Sequence, residues 1–488
     1  KENEKEEEII IMQILKHEPS YYETTAFKWR QRIGFGISDY ACNLAYLLAN
    51  TYLLFYYTNC AGLGASAVGF MFVVTKFIDA FTDYMVGSLI DRTDTKMGRY
   101  RPWMLCGAPV LAIGMVLLFS VPTGWSAGAK LAWAYVTYVI FSFGYTLVNI
   151  PMAPIVSALS PSPTERTKIA TTRTVFSNLG SLTSSLFVIP MVYYFAGSQD
   201  ATGAALATGY RNTNIVLGLM VIVIMCLCVF NTAEINPPSK TVAKSSILQD
   251  LGAVFKNKYY IMLLLLVFFL FLGYLGMYGA MQYYYNYIVC DQSSMPLALS
   301  LLTILAIPTM ILAAYLNGRG IHKVKLMQFG AIVDVIGYAI LFFTSNGTIA
   351  TLSLALIGLG FGFRSSMFFS MMPDIYDYTE WQCGRNLGGT QNALSGFVNK
   401  LSSASASAIV SALLVWGAYD SEAMDAALKA GQNLAEVFPK TQTAINFAFG
   451  GLSLVSTILA IAVMIPYDLD KRYPEIRADL NKRQAESE

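Results

Sequence analysis

VVTKFIDAFTDYMVGSLIDRTDTKMGRYRPW, residues Val73 to Trp103, decides how the chain is read. It starts as an apolar helix, yet it carries two carboxylates, Asp79 and Asp83, at i and i+4. That spacing puts both on one helix face, one turn apart. A carboxylate at membrane depth costs about 2.5–3.5 kcal/mol on insertion scales. Two on one face also repel each other unless a cation or a proton sits between them. The run then ends in a loop dense with cations: Arg92, Lys96, Arg99 and Arg101. A buried anionic pair followed by a basic loop implies a membrane helix that handles a cation.

Composition agrees. The chain has 488 residues, 55% of them hydrophobic and only 13% charged, whereas a soluble domain carries about 25% charged residues. It therefore reads as an all-α membrane protein that crosses the bilayer many times. A net charge of +2 gives no reason to expect a nucleic-acid partner. His17 and His322 lie outside the apolar runs, and no CxxC or His-x-x-x-His pattern occurs. No zinc-type site and no cofactor are expected, only a coupling ion, Na⁺ or H⁺. With no histidine in the spans to serve as a base, the chain does not read as an enzyme. Cys42, Cys106, Cys226 and Cys228 read as small buried hydrophobes. Cys60 and Cys290 end helices on the outer side and read as free thiols in preference to a disulfide.

About 20 apolar residues cross a bilayer. On that rule twelve spans are expected, near 33–57, 64–90, 103–122, 130–157, 171–196, 212–233, 259–289, 296–316, 326–345, 349–372, 388–416 and 443–467. Basic residues collect in one set of connections and are nearly absent from the other (TNCAGLG, PTGWSAG, DQSSMP, SNGT), so the first set is cytoplasmic. An even span count then places both termini in the cytoplasm. Residues 1–27 are Glu-rich and read as a cytoplasmic tail. Residues 234–258 form the longest inner connection and divide a six-helix half, 28–233, from a second half, 259–470, with a cytoplasmic tail at 471–488. Six plus six around such a connection is the major facilitator layout. The stretch DSEAMDAALKAGQNLAEVFPK, between the last two spans, reads as a short helix outside the membrane.

Several further polar residues interrupt the spans: Asp39 and Asn43 in span one, Thr146 and Asn149 in span four, Arg173 in span five, Arg364 in span ten and Lys400 in span eleven. Such groups usually face a cavity or a partner. Plainer roles also fit. Asp79 and Asp83 can form a structural ion pair with Lys76 or Lys400, Asp39 can brace span one, and Arg173 and Arg364 can snorkel to the inner interface. The aromatics FYY (55–57) and QYYYNY (282–287) read mostly as interfacial belt, with some free to stack on a sugar ring. Pro151 and Pro154 each free a carbonyl one turn back, which makes NIPMAP a candidate wall of a substrate site.

The stretches GFGISDYACN, FIDAFTDYMVGSLIDRTDTKMGRYRPW, YTLVNIP and MMPDIYDYTEWQCGRN carry a family likeness. From about Gly34 to Tyr473 the chain resembles the glycoside–pentoside–hexuronide:cation symporters, and is closer to their glucuronide and pentoside carriers through VPTGWSAGAKLAWAYVTY and VNIP. The resemblance implies a sugar symporter of the cell membrane, driven by Na⁺ or H⁺ and expected as a monomer. It places the cation on Asp79 and Asp83, with Thr82 and Thr146 as further ligands. It places the sugar against Asn43, Asn149 and Arg173, with Lys400 close by. Galactoside-carrying members have aspartates where Asn43 and Asn149 stand, and a tryptophan where Ala153 stands. A sodium-selective member has asparagine in place of Thr82. With two acids replaced by amides, and with Arg173, Arg364 and Lys400 available, an anionic sugar such as a uronide becomes easier to accept. Neutral galactosides or glucosides, and a lysolipid, remain the alternative substrates.

The inner face supplies an expected gate. The basic stretch Asp91, Arg92, Arg99 and Arg101 is expected to pair with an acidic loop, DIYDYTE, through Asp374, Asp377 and Glu380, with Arg385 beside it. The alternative is that DRTDTKMGR is a positive-inside signal alone.

Overall fold

The computed structural model describes residues 24–199, 201–235, 247–385 and 387–487. Helices make up nearly all of it, and the described residues contain no strand beyond a single Thr95–Gly98 bridge. Twelve long helices follow in order: α1 Thr25–Phe55, α2 Ala65–Asp91, α3 Arg101–Leu118, α4 Ala127–Asn149, α5 Pro163–Ala196, α6 Gly203–Asn231, α7 Lys258–Tyr287, α8 Met295–Gly318, α9 Lys323–Phe343, α10 Gly347–Cys383, α11 Gly388–Trp416 and α12 Pro439–Met464. Eleven of them, α2 to α12, are long and apolar enough to cross a membrane. The first has 31 residues, about 46 Å of helix, but its polar content sets it apart from the rest. Large apolar side chains such as Phe70, Leu219 and Phe343 are exposed, as they are on a surface solvated by lipid.

The helices overrun the apolar windows that announce them. α1 starts at Thr25, α5 at Pro163, and α10 runs to Cys383. The stretch DIYDYTE, expected as a loop, is helical. Pro373 is accommodated inside α10, and the helix stops only at Gly384, whose φ of 69° is left-handed. The connection between α9 and α10 is as short as the sequence implies. Asn346 caps the new helix by accepting from Thr348 N at 2.9 Å and Ile349 N at 3.2 Å. Of the expected inner connection 234–258, residues 247–255 form a helix, and 236–246 lie outside the described residues, as do residues 1–23 of the expected N-terminal tail. The expected C-terminal tail is a helix, Leu469–Ser487, that buries Ile476 and Leu480.

Packing divides the chain into two compact units. The first comprises the described parts of Lys1–Ala49, Phe77–Ser184 and Met191–Thr241. In it α3 and α4 close tightly at Gly144, where a Cβ would come within 2.4 Å of the Leu111 backbone nitrogen. Small residues give membrane helices this approach. Glu234, just past α6, accepts hydrogen bonds from the backbone N–H groups of Arg99, Tyr100 and Arg101 at 2.7, 2.8 and 2.9 Å. It thereby places a carboxylate on the positive end of α3. The Arg101 guanidinium is buried and donates to the carbonyls of Val229 and Met97.

The second unit comprises the described parts of Asn50–Lys76, Ser185–Pro190 and Val242–Glu488, so the ends of α1 and α2 that flank the turn at 61–64 pack with it. The tyrosines expected at the interface are core instead. Tyr56, Tyr57, Tyr283, Tyr284, Tyr285 and Tyr287 are all fully buried. Three of the hydroxyls are hydrogen-bonded: Tyr283 with Thr58 at 2.6 Å, Tyr284 with the Thr344 carbonyl at 2.8 Å, and Tyr287 with Asp425 at 2.8 Å. Asp425 belongs to the helix Ser421–Lys429, found where a short helix was expected. Burial lifts its carboxyl above the ordinary range, against the lowering effect of the Tyr287 bond. Cys60 is buried, Cys290 is exposed, and both are free thiols.

Candidate functional site

The first cluster is built on α2 and α4. Asp79 is 3% exposed, and Asp83, one turn on, is half-buried. Ser142 Oγ donates to Asp79 Oδ1, and Thr146 Oγ1 donates to Asp83 Oδ1 at 2.8 Å. Ser142 and Thr146 are themselves four residues apart, so two helices meet as two rungs, each a carboxylate with a hydroxyl. Gly144, between the two hydroxyls, sets the close approach of α3 on the far side of α4. Thr82 turns its hydroxyl to the Asp79 carbonyl at 3.0 Å, which occupies its proton and leaves its lone pairs. The set is all oxygen, the chemistry a hard monovalent cation prefers.

The second cluster joins α1 and α5 in the same unit. Arg173 Nε donates to Asp39 Oδ2 at 3.2 Å, so neither residue snorkels alone. Asn43 Nδ2 donates to the Asp39 carbonyl at 2.9 Å and to Ser177 Oγ at 2.7 Å. Tyr46 of α1 and Tyr145 of α4 face each other with ring centroids 6.1 Å apart. Amide, guanidinium, carboxylate and aromatic rings in one place are what a sugar needs: directional hydrogen bonds and a flat apolar face. Asn149 is half-buried at the last residue of α4, where the chain tightens into a 3₁₀ turn at Pro151. The helix restarts at Ile155, so the span expected as continuous over 130–157 is interrupted at the proline pair.

The second unit holds the remaining predicted residues. Arg364 does not snorkel, because its Nε donates to Asp334 Oδ2 at 2.7 Å and the two side chains are 6% and 0% exposed. Lys400 is half-buried, twelve residues into α11 and about 18 Å along it. Asp374 is held by Lys323, with Nζ 2.5 Å from Oδ2. Asp377 accepts from Tyr473 at 2.6 Å and from Arg477 at 3.0 Å, both on the C-terminal helix. Arg92 is exposed and Arg99 half-buried in the first unit, while Glu380 and Arg385 lie at the C-terminal end of α10 and just past it. The side chain of Asp91 lies outside the described residues. Each acid of the expected gate that has a described hydrogen bond thus finds it within its own unit.

Three residues escape the sequence reading. Ser142 had a signal, its i, i+4 match to Thr146 in FSFGYT. Tyr145 is hidden among many aromatics. Asp334 had the plainest signal of the three, a lone carboxylate in AIVDVIGY.

A family profile described as "MFS/sugar transport protein" matches residues 34–471. The isoprimeverose transporter of Lactiplantibacillus pentosus is 30% identical over 466 residues, covering 94% of this chain and 92% of that protein. The glucuronide carrier protein homolog of Escherichia coli (strain K12) is 26% identical over 460 residues, covering 93% and 96%. Among solved structures, a D-xylose-proton symporter superposes with a TM-score of 0.60 at 14% identity, covering 90% of this chain and 97% of that one. At that identity the match speaks for the fold alone.

Proposed function

Because the chain belongs to the MFS/sugar transport protein family, we propose that it is a secondary symporter that couples a glycoside to Na⁺ or H⁺ by alternating access. The observation that carries this reading is the pair of rungs, Asp79 with Ser142 and Asp83 with Thr146. Two carboxylates one turn apart at membrane depth repel, and an ion or a proton among four oxygens removes the repulsion. Sugar affinity then rises with the site filled, and by linkage the sugar tightens the cation equally. The sugar is placed on Asn43, Asn149, Tyr145 and the Asp39–Arg173 pair. The names of the relatives support a pentose-containing glycoside or a hexuronide. The protein is placed in the cell membrane as a monomer, with both termini cytoplasmic on the strength of the basic connections.

The test is uptake of labelled β-glucuronide and β-xyloside into proteoliposomes under an imposed Na⁺ gradient, an imposed pH gradient, or neither. Gradient-driven accumulation that disappears in Asp79→Asn supports the reading and names the ion. Failure to accumulate either sugar under any gradient sinks it for these substrates.

A further inference from the structure

The end of α1 is wound differently from the rest of that helix. Residues Tyr56–Cys60 form a single π turn, a local change of register that is frequent at functional sites. The turn brings Thr58 and Asn59 against α7. Thr58 shares a hydrogen bond with Tyr283, and Asn59 Nδ2 donates to Tyr287 Oη at 2.5 Å. Tyr287 Oη in turn donates to Asp425 Oδ1 at 2.8 Å, so the amide and the carboxyl group meet on one phenol. Tyr419 completes the group. Its hydroxyl donates to Asn59 Oδ1 at 2.8 Å, and its ring packs on those of Tyr283 and Tyr287 with centroids 5.3 and 5.8 Å away. Ala418, just before it, holds φ at 52°, a left-handed conformation that costs an alanine free energy. Every one of these residues belongs to the second compact unit.

Asp425 brings a titratable carboxyl to this group. Its described hydrogen bond comes from Tyr287. The other titratable groups around it are Lys429, four residues on in its own helix, and the Cys60 thiol at the end of the π turn. Burial holds the carboxyl above its ordinary range, and the Tyr287 bond and Lys429 offset this only in part. When the group parts, the carboxyl meets water and returns to that range. A proton is thus held more tightly with the group closed than with it open, so protonation favours the closed arrangement. That stabilisation is complete below the ordinary carboxylate range and is lost as pH rises through the raised value.

We propose that Asn59, Tyr287, Tyr419 and Asp425 form a pH-sensitive latch that pins the last turn of α1 to α7 and is held closed by a proton on Asp425. The latch goes beyond the symport reading, and its test needs no substrate. α1 is the helix that carries Asp39 and Asn43, so the latch restrains the far end of the element on which those residues stand.

Cys60 is a native reporter. It is buried at the latch, whereas Cys290, just past α7, is exposed, and both are free thiols. The experiment measures maleimide labelling of the two thiols by peptide mass spectrometry, from about pH 5.5 to about pH 8. It uses the full-length protein in detergent as wild type, Asp425→Asn and Asp425→Ala, with a thermal midpoint for each. The Cys60 rate is read as a ratio to the Cys290 rate. Asp425→Asn keeps an acceptor for Tyr287 and cannot ionise. The ratio should rise with pH about threefold or more further in wild type than in Asp425→Asn. In Asp425→Ala it should be raised at every pH, because Tyr287 has lost its acceptor. A ratio that climbs equally in wild type and Asp425→Asn reports thiol chemistry alone and overturns the proposal. So does an Asp425→Ala ratio that matches wild type at the acid end. If Asp425→Ala folds poorly, the comparison of wild type with Asp425→Asn still decides. None of these outcomes bears on the symport reading.

Discussion

Ser142 and Thr146 do for Asp79 and Asp83 what a lone carboxylate at membrane depth needs. Each supplies one hydrogen-bond donor to a carboxylate oxygen. A hydrogen bond to a charged group contributes about 1.5–3 kcal/mol, and 1.4 kcal/mol is about tenfold in affinity. Removing a donor from an ionised carboxylate favours its protonated form. With a proton as the coupling ion, Ser142→Ala and Thr146→Ala should therefore each shift half-maximal uptake to higher pH by about one unit. With Na⁺, the lost ligand oxygen should instead raise the half-maximal Na⁺ concentration about tenfold. Thr146→Ser should stay near wild type. Titration of uptake against Na⁺ and against pH reads this directly. If neither half-maximal value moves, the hydroxyls hold helices together and do not serve the ion. The carboxylates of this site are legible because two charges at i and i+4 cannot hide in an apolar run. The hydroxyls are not, because a serine in a membrane helix usually bonds its own turn and looks the same in sequence either way. Arg364 was legible as an unusual residue but not as half of a pair, since its partner lies 30 residues back on another helix.

α9 and α10 show how far helix approach depends on single small residues. At Gly360 a Cβ would come within 2.2 Å of Asp334 Oδ1 and 2.5 Å of the Gly330 carbonyl oxygen; the second is backbone, and the carboxylate is held by Arg364. Overpacking of this kind costs about 1–3 kcal/mol. Gly360→Ala should lower the thermal midpoint in detergent. Gly396→Ala on α11, where a Cβ meets nothing within 4 Å, should leave it unchanged or raise it through helix propensity. Equal midpoints for the two variants would show that α9 and α10 relax apart at little cost. Span existence is legible because 20 apolar residues in a row have few other uses. Span ends are less so, because helix ends such as 373–383 are polar and leave the apolar window while the hydrogen bonding continues. QYYYNY misleads for a physical reason. A tyrosine serves equally at a lipid interface and in a core that offers its hydroxyl a partner, and composition cannot distinguish the two.

Charge carried across the membrane ties the site to the whole molecule. One elementary charge moved through 100 mV is about 2.3 kcal/mol, which is about 50-fold in accumulation. A neutral glycoside that travels with one cation moves one net positive charge. A hexuronide monoanion that travels with one cation moves none. In proteoliposomes held inside-negative by a potassium diffusion potential, steady-state accumulation of β-xyloside should rise by up to about 50-fold per 100 mV. Accumulation of β-glucuronide should respond to the Na⁺ or proton gradient alone. The comparison uses one preparation and one site, so differences in protein quality cancel. A β-glucuronide signal that also grows with the potential would mean that at least two cations accompany it. Both Asp79 and Asp83 would then have to be loaded in each cycle.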